Sequence, residues 1–335
     1  MTADARYQRP SPPRTPDPLD GVLVLDKPAG PTSAGCLDAI KRALRQPRIG
    51  HAGTLDPMAR GVLLVLLGQG TKLAPYLAAG DKVYAGTIEL GVSTDTFDSE
   101  GAVVARAPTE GLDPAAVERE LLAWRDLTEQ AVPAYSAAKH KGKPLYALAR
   151  AGEEVPERSK KICVKDVEPL EIRLPYVRFR VRCSSGTYVR SLAHSLGTRL
   201  GCGAVLAGLT RERSEPFGLE EAHALDAVLA EPERFPERII PLSGMLPHWP
   251  RHRVGEPVAA LVRNGAWLPA SETPGEELFG RVGDRALLLG PGDEPLALVE
   301  VRRKDNQARF AILRGLWPEG GRETARSRRM PPQGG

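Results

Sequence analysis

Residues 61–67, GVLLVLL, constrain the fold more than any other stretch of this chain. The apolar run 62–67 is the longest present and far short of the ~20 residues that cross a bilayer. A continuous run of this length reads as a buried strand. GVLVLD at 21–26 reads the same way and is ended by Lys27-Pro28 and the turn-forming Gly30-Pro31. VYAGTIELG (83–91) is a third strand. RFRVRCS (178–184) alternates basic and apolar residues, as a strand with one wet, positive face does. Helices separate them. TSAGCLDAIKRALRQ is capped at Thr32 or Ser33 and sets Leu37, Ile40 and Leu44 on one face. A second helix near Asp113-Pro114 aligns Val117, Leu121 and Trp124, and a third runs near residues 188–200. Many strands with few clean βαβ alternations give an α+β fold, a mixed or antiparallel sheet with flanking helices.

The 335 residues suggest about two domains at roughly 150 residues each. Residues 1–19 hold five prolines, little that packs and no apolar core, so they read as a disordered leader and not a secretory signal. The Pro-rich run 241–250 reads as a linker. Beyond it, short strands with glycine turns indicate a small all-β module over about 250–318, expected to be separable, and 319–335 is a flexible basic tail. Cys36, Cys163, Cys183 and Cys202 are widely spaced, which argues against a zinc site and a disulfide framework and for buried free thiols in the cytoplasm. A net charge of +4 mildly favours an anionic partner.

Asp56 is the one carboxylate in RIGHAGTLDPMARGVLLVLLG (48–68), between a Gly-rich approach and the strand. By itself an Asp before Pro is more often a turn former than a reactive group. Residues 139–165 carry eight Lys/Arg against three Glu, a net +5. With Arg178, Arg180 and Arg182 they are either a solvated face or a track for phosphates.

GHAGTLDPMARGVL, with GVLVLDKPAGPTS before it, resembles the bacterial TruB family of tRNA pseudouridine synthases. The resemblance continues through GQGTK (68–72), DKVYAG (81–86), TDTFDSEG (94–101), PAYSAAKHKGKPLYALARAG (133–152), SSGTYVRSL (184–192) and LGCGAVLAGLTR (200–211). It covers roughly residues 20–220 in the family's order and spacing. Two departures stand out. GHAG replaces the commoner GHTG, and Leu209-Thr210-Arg211 stands where the family often has Leu-Arg-Arg, which weakens the assignment of Arg211 to RNA contact.

The resemblance implies a catalytic domain over 20–245 with an RNA-gripping insertion at about 131–161, followed by a PUA-like RNA-binding domain at 250–318. It makes Asp56 the catalytic aspartate, acting without cofactor or metal on a uridine flipped from the tRNA T-loop, position 55. A carboxylate with an ordinary pKa near 3.9 is ionised at neutral pH and needs no activation. Whether it attacks C6 or C1′ or removes a sugar proton stays open. Tyr84 matches the tyrosine that stacks on the flipped base, and Tyr188 and Arg190 match pocket residues, Arg190 in a fork-like pair with Asp56. His51 and Leu209 match positions lining the uridine or its loop, and Asp98 an acid near the flipped nucleotide. Lys27 and Lys72 match family positions as well. Lys139, Lys141, Lys143, Lys160 and Lys161 fall on the insertion as backbone contacts. The expected partner is the tRNA T stem-loop, with no membrane, no obligate protein partner and a monomeric chain. Two rivals are an RNA-binding or tRNA-folding factor without turnover and an H/ACA-type guided subunit, whose relatives lack the insertion.

Overall fold

The structure, a computed structural model, describes residues 19–269, 281–305 and 307–317. The expected leader, apart from Leu19, and the expected tail lie outside the described residues. The chain opens with β1 (Gly21–Lys27), α1 (Ser33–Leu44), β2 (Ile49–Ala52) and β3 (Arg60–Leu67). After α2 (Ala74–Ala78) come β4 (Lys82–Leu90), the hairpin β5 (Val92–Thr94) and β6 (Val103–Arg106), and α3 (Pro114–Leu122). Then follow β7 (Glu129–Ala131), the small hairpin β8 (Lys139–His140) and β9 (Lys143–Pro144), α4 (Leu145–Arg150) and β10 (Ser159–Lys161). The segment ends with β11 (Val164–Arg173), β12 (Tyr176–Cys183), α5 (Val189–Arg199), β13 (Ala204–Ser214), β14 (Phe217–Gly218), β15 (His223–Ala224), α6 (Leu225–Ala230) and β16 (Ile240–Pro241).

Ten strands make one sheet in the order β11-β12-β4-β13-β3-β1-β15, with β14 on β13, β16 on β1 and β2 on β3. The β3–β13 and β1–β15 pairs are parallel and the others antiparallel, so the sheet is mixed, as the α+β reading expects. β1 and β3 read as continuous apolar runs because both faces are covered. Leu23, Leu25, Leu63, Val65 and Leu67 enter a core with Ile40 of α1, Val117 and Leu121 of α3, and Leu192 and Leu196 of α5. Val22, Val24, Val62, Leu64 and Leu66 enter a second core on the opposite face. Thr32 caps α1 by accepting from the Gly35 amide, and Asp113 caps α3 by accepting from Ala115 and Ala116.

The C-terminal part differs from the reading of its sequence. β17 (Arg251–Arg253), α7 (Glu256–Arg263), β18 (Leu268–Pro269), β19 (Arg285–Leu289), β20 (Pro295–Lys304) and β21 (Gln307–Gly315) build a five-stranded sheet, β17-β19-β20-β21-β18. It is not all-β. EPVAALVR is a helix because Ala259 and Val262, three residues apart, bury one face of it, with Pro257 in its first turn. Nor is 241–250 a free linker. Leu242, Met245 and Leu246 are buried in the second core, together with Leu73 and Leu77 before them and Leu287, Leu298 and Leu316 after them. The cysteines also depart from expectation, since Cys163 is exposed while the other three are buried. Among the described residues no helix is long and apolar enough to cross a membrane.

The shared core replaces the expected separability with a stability prediction. A chain ending at Pro247 leaves Leu73, Leu77, Met245 and Leu246 uncovered, and is expected to melt well below the full chain and to bind an apolar dye. In the full chain, Leu298→Ala removes a fully buried side chain and is expected to cost about 2–5 kcal/mol in urea unfolding. A truncated chain that melts like the full one would show that the core closes without the C-terminal sheet.

Candidate active site

Asp56 lies on the loop between β2 and β3, and side chains from β1, α1 and β13 tie down most of the carbonyls of that loop. Gly53, which leads in, has φ +87°, a left-handed conformation that favours glycine. Arg211 of β13, 1% exposed, donates to the carbonyls of Gly53 (2.9 Å), Thr54 (3.4 Å) and Val62 (2.7 Å). The Ser33 hydroxyl, at the start of α1, donates to the Leu55 carbonyl (3.0 Å) and accepts from the Leu55 amide (2.9 Å). Lys27, fully buried at the end of β1, donates to Pro28 (2.9 Å), Pro57 (3.1 Å) and Ala59 (2.7 Å). The Gly30 amide also donates to the Pro57 carbonyl. Asp56 itself closes the turn through its carbonyl, which accepts from Ala59. The turn-former reading therefore describes its backbone. Its side chain is free for something else.

That carboxylate is gripped at two points by Arg190 in the first turn of α5. Nε lies 2.9 Å from Oδ2, and Nη2 donates to Oδ1 at 3.3 Å. Arg190 is almost wholly buried and its other donors are spoken for. Nη1 donates to the Thr96 carbonyl (2.9 Å) and lies 3.4 Å from the Asp98 carboxylate, and Nη2 donates to the Tyr135 carbonyl (2.9 Å). One cation thus stands between two carboxylates. Burial, the largest influence, raises the Asp56 pKa above the ordinary carboxylate value. Arg190 opposes that shift, and the charge of Asp98 adds to it. The expectation of an unperturbed carboxylate is corrected accordingly.

The carboxylate opens into a cavity of about 650 Å³. Of the residues singled out from the sequence, Asp56, Tyr84, Tyr188, Arg190, Leu209 and Lys160 line it. Tyr84, on β4, is buried with its phenol beside the Arg211 guanidinium, and burial pushes its pKa up. Tyr188 caps α5 and is half-buried. Two residues expected at the substrate do not line this space. His51 pairs with Val65 across β2 and β3, and its buried Nδ1 has no hydrogen-bond partner among the described residues. Burial, followed by the charge of Arg211, lowers its pKa. Asp98 is 5% exposed and sits behind Arg190, accepting from the Thr96 hydroxyl (2.7 Å) and the Glu100 amide (3.1 Å). It buttresses the arginine. The prediction that follows has a definite sign. Asp98→Asn removes a charge that raises the Asp56 pKa, so a reaction needing ionised Asp56 is expected to lose activity at a lower pH than in the parent chain. An acid limb in single-turnover rates that stays in place or moves up would contradict this.

The basic stretch splits in two. Lys139 and Lys143, in the β8/β9 hairpin, Lys141 in its turn, and Lys160 and Lys161 on β10 are all exposed. Lys143 approaches Glu153 at 3.8 Å, a contact of little strength at such exposure. The face of β12 is different. Arg178 pairs with Glu171, Arg180 with Glu168 and Glu212, and Arg182 with Asp81 and Glu215. These carboxylates neutralise the phosphate track expected there. Lys72 donates to the Gly315 carbonyl (3.0 Å) and so ties the C-terminal sheet to the first part of the chain.

Several residues of the site act on groups far away in the chain, so their roles are not legible in the sequence even where they fall within a motif. Arg211 acts on a loop about 150 positions away, Ser33 on one 22 positions away, and Gln130 on Tyr188 across 58. Lys82 lines the cavity, donates to the Ala78 carbonyl at the end of α2 (2.7 Å), and is pushed down to about 8 by burial. Among the described residues no three His, Cys, Asp or Glu converge as metal ligands.

Known proteins resemble this chain in sequence and in fold. Residues 41–189 match the family described as TruB family pseudouridylate synthase, N-terminal domain. The tRNA pseudouridine synthase B of Nitratidesulfovibrio vulgaris (strain Miyazaki F) is 55% identical over 300 residues, 89% of this chain and 97% of that protein. The tRNA pseudouridine synthase B of Oleidesulfovibrio alaskensis is 54% identical over 298 residues, 89% of this chain and 96% of that protein. Among solved structures, the crystal structure of a Cbf5-Nop10-Gar1 complex matches with a TM-score of 0.66 at 26% identity, covering 90% of this chain and 86% of that one.

Proposed function

The chain belongs to the TruB family of pseudouridylate synthases and forms pseudouridine in tRNA, and on that premise we propose that its target is the T-loop uridine at position 55. Asp56 is the catalytic residue. The observation that carries this is the two-point Arg190 grip on a carboxylate that opens into a cavity walled by Tyr84, Tyr188 and Leu209. The uridine leaves the loop stack and enters this space. Tyr84 offers its face to the base, and Arg190 keeps Asp56 aimed and favours its ionised form. The N1–C1′ bond breaks, the base turns, C5 bonds to C1′, and the C5 proton is replaced by one on N1. Substrate and product contain the same atoms, so nothing is consumed and no cofactor is called for.

The enzyme works as a monomer in the cytoplasm without an obligate protein partner. The insertion at 131–161 holds the T stem-loop through its exposed lysines. Changing Lys139, Lys141, Lys143, Lys160 and Lys161 to Gln is expected to weaken tRNA binding and flatten its salt dependence, by about one unit of log–log slope for each phosphate that a lysine no longer neutralises. An unchanged slope across a salt series would remove the insertion from the interface.

The reading is tested with a T-arm stem-loop carrying 5-tritiated uridine. The chain alone is expected to release tritium from it, and to release none when the target uridine is replaced by cytidine. Release that survives the replacement would sink the site assignment. Failure to act on any tRNA without added protein and guide RNA would favour the guided-subunit reading instead.

A further inference from the structure

Tyr188 introduces α5 and Arg190 follows two residues later, so the peptide at 188 sets the direction of both cavity side chains. Its amide and carbonyl are held by a single side chain. Gln130 Oε1 accepts from the Tyr188 amide at 2.6 Å, and Gln130 Nε2 donates to the Tyr188 carbonyl at 3.1 Å. The carbonyl already accepts from the Ser191 and Leu192 amides, so the Nε2 bond is not needed to satisfy it. Gripping both groups at once fixes the rotation of the residue, as two strands do when they exchange paired bonds. Gln130 is 8% exposed and sits mid-strand on β7, directly opposite Lys160 of β10. Directly opposed residues of an antiparallel pair point to the same face. Both land on the same turn. The Lys160 ammonium fills the space where a side chain at Gly186 would begin, and Gln130 takes Tyr188. The two-stranded ribbon, whose β10 strand closes the insertion, therefore lies face down on the turn that leads into the catalytic helix.

We propose that Gln130 is a positioning residue for the reaction: its amide clamps the Tyr188 peptide and thereby holds Arg190 in register with Asp56. The inference rests on the catalytic reading above. It requires that loosening the clamp slow the chemical step far more than it weakens RNA binding. Of the five lysines only Lys160 and Lys161 lie on the Gln130 ribbon, and the Gln130 side chain itself points to the Tyr188 backbone rather than to a phosphate. It also requires a change in pH dependence. Arg190, more than Lys27, opposes the upward pull of burial on the Asp56 pKa. A less well held Arg190 lets that pKa climb, and the acid limb moves to higher pH.

The test uses Gln130→Met, of similar length and unable to hydrogen-bond, and Gln130→Glu, which keeps the acceptor for the Tyr188 amide. Single-turnover rate, tRNA affinity, melting temperature and the pH profile are measured on the full chain. Expected are a rate about 10- to 100-fold lower in Gln130→Met, as for a slight misplacement of reacting groups, an acid limb shifted upward, near-parental affinity, and an intermediate rate in Gln130→Glu. A folded Gln130→Met with parental rate and limb overturns the proposal. So does a rate loss that tracks the melting temperature with the limb unmoved, since that is a structural role alone. If Gln130→Met does not fold, the limb of Gln130→Glu decides in the same way. Asp56→Asn in the same assay separates the two levels: activity there refutes the catalytic reading, whereas parental behaviour confined to the Gln130 variants refutes only the clamp.

Discussion

Asp56→Asn is expected to lower the single-turnover rate of pseudouridine formation by at least about 10³-fold, with tRNA affinity nearly unchanged. The substitution keeps the shape of the side chain and removes its charge and nucleophilicity. It leaves the loop intact, because the loop is held through backbone groups by Arg211, Ser33 and Lys27, none of which touches the Asp56 carboxylate. Protein–nucleic acid affinity rests largely on phosphate contacts, which a carboxylate does not make, and loss of a negative charge in the cavity, if it acts at all, tightens binding. Both quantities should be measured on one preparation, with circular dichroism to check the fold. A near-parental rate would end the catalytic assignment. Joint collapse of rate and binding in a folded chain would return Asp56 to the role of turn former.

Arg190→Met is expected to have the next largest effect, and a different signature. It leaves Asp56 and Asp98 without the cation between them, and strips the Thr96 and Tyr135 carbonyls of a donor. Removing one partner of a buried ion pair costs about 3–5 kcal/mol. The loss here is expected near the lower end because the Asp56 side chain is 38% exposed. The Asp56 pKa, already raised by burial, rises further when the opposing charge goes. At neutral pH less of it is ionised, and the rate is expected to fall about 10²-fold or more. Raising the pH should recover part of that loss by restoring the carboxylate, which it cannot do for Asp56→Asn. Arg190→Lys, with the charge but not the fork, should lie between. A pH profile of Arg190→Met that parallels the parent would mean that Arg190 does not control the ionisation of Asp56.

Much of this is legible in the residues themselves. GVLVLD and GVLLVLL announce strands covered on both faces, since an uninterrupted apolar run has no wet side. Asp113-Pro114 marks a helix start, because the carboxylate caps it and proline suits its first turn. The sites of Asp56, Tyr84, Tyr188 and Arg190 are legible through local motifs, each a short stretch whose spacing survives in one dimension. Charge is legible only as a count. The arginines of β12 look like a positive face in the sequence because their partners, among them Asp81, Glu212 and Glu215, come from other segments of the chain. EPVAALVR passes for part of a β module because it is only eight residues long and stands among strand-like runs, although its apolar residues do recur at helical spacing.

What the sequence determined by itself is the class of fold, the run of motifs and the chemical character of the cavity's key side chains, because these depend on near neighbours and on residue type. Only the tertiary structure decided that Arg211 straps the Asp56 loop, that Asp98 stands behind Arg190 and His51 outside the cavity lining, that Gln130 holds Tyr188, and that the C-terminal sheet shares a core with the rest. Each of these joins residues far apart in the chain through directional bonds or packing. Which distant groups meet is set by the closing of the whole sheet and its cores, and no local pattern records it.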